Sequence, residues 1–139
     1  MPKVVINSSQ GLIQQTGAAP VASAVGVGVG AQSVTAAGTS IGVATQISAT
    51  GGGLVLVSGA DNTAAVKLPA LSEVPAGTVF FILNLVGNKT LEIFPTAGDQ
   101  IHPAADDAAI TVAADGMLIC VADSSGALWA SAEPAVTGA

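Results

Sequence analysis

The 139 residues suffice for one domain with tails, and a chain of that size buries roughly two-thirds of its unfolded surface. Three lysines, no arginine and nine carboxylates give a net charge of −6, which excludes the basic stripe that nucleic acid or an anionic membrane surface requires. Hydrophobic residues are 50% of the chain, aromatics only 3% and charged residues 9%, against ~25% charged in ordinary soluble domains; thin layers of Ala, Val, Ile and Leu are expected, not aromatic pockets.

In chain order, Met1–Gly11 does not read as a signal peptide, because Lys3 is followed by only three apolar residues, Val4–Ile6. Lys3–Asn7 reads as a short strand, and Ser8–Gly17 is polar, with three glutamines. Ala18–Gly30 is rich in Ala, Val and Gly, and its alternating Val25–Gly30 run makes a poor isolated element, since glycine adds backbone entropy and packs nothing. Residues 1–30 are therefore expected to be an extended arm and linker that gain order from a partner, followed by a β-domain over 31–134 and a tail over 135–139.

From Gln32 the pattern becomes β. Short β-branched runs separated by turn clusters predict strands at Ser33–Ala36, Ile41–Ile47, Leu54–Ser58, Ala64–Leu68 and Thr78–Asn84. Further strands are predicted at Thr90–Phe94, Ala109–Val112, Met117–Ala122 and Ala127–Ala130. The segment Leu91–Pro103 reads as strand, corner and short strand, with Ile101 in the last. Gly87-Asn88 and Asp115-Gly116 read as hairpin turns. Both faces of Leu54–Ser58 are apolar, which predicts a central strand or one at an interface. Helical periodicity is weak throughout; Leu71–Val74 or Ala105–Ala109 suits a single helical turn. Apolar runs such as Val79–Leu83 stop far short of the ~20 residues of a membrane span. The expected fold class is all-β: a small sandwich or barrel, jelly-roll-like, with an N-terminal arm.

Residues that could carry chemistry are few. His102 is the only histidine, near Asp99, Asp106 and Asp107, but metal sites take three or four ligands in compatible geometry; a polar loop with Asp99 capping a turn is the simpler reading. Cys120 excludes an internal disulfide, and its apolar neighbours Leu118, Ile119 and Val121 suit a core residue better than a nucleophile. Asp61-Asn62 and Asp106-Asp107 supply hard oxygens without calcium-loop spacing. The Gly26–Gly30 run lacks the following helix and Gly-Lys-Ser/Thr of a phosphate loop. No catalytic residue, cofactor or metal is expected. So little surface charge also points to burial against other copies or a larger assembly.

The stretch Thr63–Trp129, about half of the chain, resembles a β-domain of tailed-phage virion proteins, above all head decoration and fibre proteins. The resemblance rests on the order of Lys67-Leu68-Pro69-Ala70, Pro75-Ala76-Gly77, Phe80–Asn84, Leu91–Pro95, Ala97–Ile101, the Ala113–Gly116 turn and Leu128-Trp129. His102-Pro103 departs from the family's usual Asn/Ile pairing, which affects the shape of that loop. The resemblance implies a structural, non-enzymatic homotrimer on the outer surface of a phage capsid, made in the host cytoplasm, with the major capsid protein as partner and without nucleic acid, membrane or cofactor. By the same resemblance the arm residues Lys3, Val4, Val5, Ile6, Asn7, Gln10, Leu12 and Ile13 would reach the capsid, with strand addition by Val4–Ile6 to an exposed sheet edge as one route. The alternative is a fibre module binding carbohydrate or a host receptor, which requires Trp129 exposed near polar loops.

Overall fold

Both faces of the Leu54–Ser58 run are apolar because that strand is central to a sheet. In the computed structural model, residues 4–7, 11–14 and 30–133 are described, and they form an all-β fold. The strands are β1 (Val4–Asn7), β2 (Gly11–Gln14), β3 (Ala31–Thr35), β4 (Thr45–Gln46), β5 (Leu54–Ser58), β6 (Ala65–Lys67), β7 (Val79–Asn84), β8 (Leu91–Phe94), β9 (Ile101–His102), β10 (Ile110–Val112), β11 (Met117–Ala122) and β12 (Trp129–Ala132). A 3-10 turn at Leu71–Glu73 is the one predicted at Leu71–Val74.

The winding is solenoid-like. Successive strands from β3 to β8 alternate between a six-stranded sheet, ordered β3-β5-β7-β11-β12-β9, and a four-stranded sheet, ordered β10-β8-β6-β4. Ala31 pairs with Leu54 and Leu54 with Phe81, all in parallel; on the other sheet Thr45 pairs with Val66 and Val66 with Ile93, also in parallel. Each coil thus spans roughly 20–30 residues, within the range of solenoid repeats. The corners stack as well: Ala36 N–H donates to the Ser58 carbonyl (2.8 Å), Ile47 N–H to Lys67 (2.8 Å) and Leu68 N–H to Phe94 (2.9 Å). Backbone groups that would be orphaned between two sheets are paired from coil to coil.

The last coil is closed by antiparallel strands, β10 against β8 and β11 against β7, with β12 and β9 continuing outward from β11. One core lies between the sheets. Val55, Val57, Phe80, Ile82 and Leu118 come from one side, and Val66, Leu91, Ile93 and Val112 from the other. Burying each such side chain stabilises by about 1.5–3 kcal/mol.

Two expectations are corrected. Gly87-Asn88 and Asp115-Gly116 are turns, but neither closes a hairpin: β7 and β8 lie in different sheets, as do β10 and β11. The physical reason is Asn84, fully buried at the end of β7. Its Nδ2 donates to the carbonyls of Lys89 (2.8 Å) and Ala113 (3.0 Å), and its Oδ1 accepts from Val86 N–H (3.1 Å), so it ties both turns into one inter-sheet corner. Of the predicted strand Ile41–Ile47 only Thr45–Gln46 is strand, because the Ser40 carbonyl takes the N–H of Val43 (3.1 Å) and Ala44 (2.9 Å) and makes a turn. Val43 stands exposed at its tip, 63% accessible. Within the polar stretch Ser8–Gly17, Gly11–Gln14 is a strand, paired with β1.

Candidate functional site

Of the arm residues, Val4, Val5, Ile6 and Asn7 lie in β1 and Leu12 and Ile13 in β2; Lys3 and Gln10 lie outside the described residues. The two strands form an antiparallel pair in which Val5 faces Ile13 and Ile6 faces Leu12. Among the described residues this part of the chain is an antiparallel strand pair. Val4–Ile6 has one backbone edge already taken, and a two-stranded sheet leaves each strand one further edge.

Two carboxylates of the His/Asp loop are hydrogen-bond acceptors, one for a distant turn and one within the loop. Asp99 Oδ2 accepts the Leu71 N–H (2.9 Å), which anchors the 3-10 turn, and Asp107 Oδ1 accepts the Gly98 N–H (2.7 Å). Asp107 adopts φ +60°, the left-handed conformation that Asp tolerates in turns. Among the described residues no three metal-ligating side chains converge. Asp61 and Asp123 act in the same way at two other turns. Hydrogen bonds from the Thr63 and Ala64 N–H groups and the Thr63 hydroxyl hold the Asp61 carboxyl below its ordinary range. The Ser125 hydroxyl does so for Asp123, helped by backbone N–H donors and opposed by partial desolvation. An ionised carboxylate that accepts several donors is a strong loop closure.

Cys120 and His102 are not brought together. Cys120 faces the core, fully buried, and burial pushes its thiol up to about 12; a thiol so placed holds almost no thiolate at neutral pH. His102 lies two strands from β11, paired with Ala130 of the adjacent β12 and sharing its outward face. Trp129, required at the surface by a sugar-stacking reading, is completely buried. Its ring meets Phe80 at 5.7 Å between centroids and 58° between planes, a tilted aromatic pair. Its indole N–H has no protein partner.

The largest unassigned feature is the outer face of the six-stranded sheet. Paired residues share a face, so the register writes it out in rows. One row runs Ala31, Leu54, Phe81, Ile119, Ala132. A second runs Ser33, Leu56, Leu83, Met117, and a third Val79, Val121, Ala130, His102. Leu85 extends the patch past the end of β7, 51% exposed. The burial patterns iBiBiB of β7 and β11 show half-buried outer residues alternating with buried inner ones. The sequence signal for this face was present in the doubly apolar β5; the equivalent pattern in β7 and β11 was read only as strand.

No protein-family model matches the chain, and neither a curated protein nor a solved structure matches it.

Proposed function

We propose that this chain is a structural virion protein that decorates and stabilises a phage capsid from its outer surface, acting as a homotrimer with the major capsid protein as partner. The observation that carries this reading is a broad apolar sheet face without charge on a chain whose whole surface is poor in charge. Such surfaces are built to be covered. The ordered series of short motifs over Thr63–Trp129 supplies the virion context. Two sheets around one core support the sandwich layer plan of that family's domains, and the parallel coils are the departure from a jelly roll. Contacts repeated at equivalent lattice positions stabilise the intact shell by mass action, and three linked contacts multiply weak single ones. No step of bond making is assigned to the chain: Asp99, Asp107, Asp61 and Asp123 serve as turn acceptors in this reading, and Cys120 as core.

The β1–β2 hairpin is the capsid-facing element in this reading, offering its outer backbone edge. Co-sedimentation with expanded capsids tests it. The full chain should saturate capsids, and a variant lacking residues 1–17 should lose binding at least tenfold while its Trp129 fluorescence stays that of the folded domain. Saturation by the truncated protein would remove the hairpin from the interface, and a full chain that ignores capsids would end the decoration reading.

A further inference from the structure

We infer that the outer face of the six-stranded sheet closes against the same face of a second copy of this chain. A face that meets its own copy pairs two chains about a twofold axis, so this contact goes beyond the homotrimer of the proposed reading, and its test uses no capsid, so the failure of either is separately visible.

Packing supplies the first argument. Leu54, Leu56, Phe81, Leu83, Met117 and Ile119 neither belong to the core cluster nor pack on it; the register gives them one another as neighbours, with the small Ala31, Ser33 and Ala132 at the ends of the rows. Large aliphatic and aromatic side chains in adjacent rows are what one sheet offers a second sheet lying about 10 Å away.

Charge supplies the second argument and selects the occupant. The six strands of this sheet contain no Asp, Glu or Lys. The other sheet carries Lys67 and Glu92, and the remaining carboxylates among the described residues sit in turns and connections. Two copies at −6 each repel. A face that brings no carboxylate toward another is therefore the approach that a like-charged copy can use. A cationic partner would gain nothing there.

Area supplies the third. Five strands spaced ~4.8 Å apart and five residues long at ~3.3 Å each make a footprint of about 400 Å². That is the size at which an apolar patch marks an interaction site. Two such footprints together make about 800 Å², short of the ~1,200 Å² from which stable interfaces begin. The association is accordingly reversible and dependent on concentration.

Sedimentation velocity of the full chain from sub-micromolar to high micromolar concentration tests the inference. The weight-average mass should rise from the 13.3 kDa of one chain toward a multiple of it. Phe81→Lys and Leu56→Lys place charge in the middle of the face and should weaken association at least tenfold. Ser33→Lys and Ala132→Lys place it at exposed positions of the same face, where folding tolerates it, and should also weaken association if the central variants do not fold. Thr111→Lys, on the outside of the other sheet, should associate like the wild type. A wild type that stays at 13.3 kDa throughout overturns the inference. So does undiminished association of folded Ser33→Lys and Ala132→Lys.

Discussion

Asn84 is the only buried polar side chain among the described residues, and it decides how the chain turns between its sheets. Its amide serves three backbone groups from two turns. Removing it takes the donor from the Lys89 carbonyl, leaves the Ala113 carbonyl only its bond from the Gly116 N–H (3.0 Å) and frees the Val86 N–H, and losing a buried partner costs about 1–3 kcal/mol. Asn84→Ala should therefore lower the unfolding free energy by about 2–4 kcal/mol in urea titrations. Asp61 contributes differently. Its carboxyl lies below the ~3.9 expected of an unfolded chain, so its contribution is whole above that pH and is lost as the pH falls through the folded value. Asp61→Ala should melt below the wild type at pH 7, and the gap should close below about pH 4 in thermal scans. An unchanged gap in acid would mean that the charge is not what closes the turn. These roles were only half visible in the residues themselves. Asp61 stands in a turn cluster where Asp usually accepts local N–H groups. Asn84 ends an apolar run and gives no local sign that one of its partners lies in a turn 29 residues away.

At the scale of elements, short apolar runs bounded by turn clusters place β5 and β11 to the residue. Pairing was not legible. Asn-containing and Asp-Gly turns favour hairpins when the flanking strands are free to pair, but here each strand meets the strand one coil earlier first. Neighbouring coils approach closely where Gly52 passes Gly30. Gly52 adopts φ +114°, and a Cβ there would lie 2.6 Å from Gly30 C and 2.7 Å from Ala31 N. Gly52→Ala should cost about 1–3 kcal/mol in urea unfolding through strain and lost approach. Gly42→Ala, where the added Cβ meets nothing within 4 Å, should stay within ~0.5 kcal/mol of the wild type. Equal effects would remove the close coil contact from the account.

For the whole molecule, composition announced the main property before any element was placed. A chain with 9% charged residues cannot cover itself with charge, and the structure concentrates the deficit on one side of one sheet. Composition could not say which side, since that depends on which strands become neighbours. The outer sheet face and the β1–β2 pair are separate surfaces, one for a second copy and one, in the proposed reading, for a shell.

The turn Ser40–Ala44 carries a different consequence. Gly42 and Val43 are exposed at its tip, while the hydrogen bonds that hold the first coil to the second, from Ala36 and Ile47, lie on either side of it. Lengthening a loop costs only about 0.6 kcal/mol per doubling. A guest peptide spliced between Gly42 and Val43 would thus be carried as cargo on a corner whose architecture does not depend on it, which makes this turn the natural port for displaying foreign sequence on the molecule.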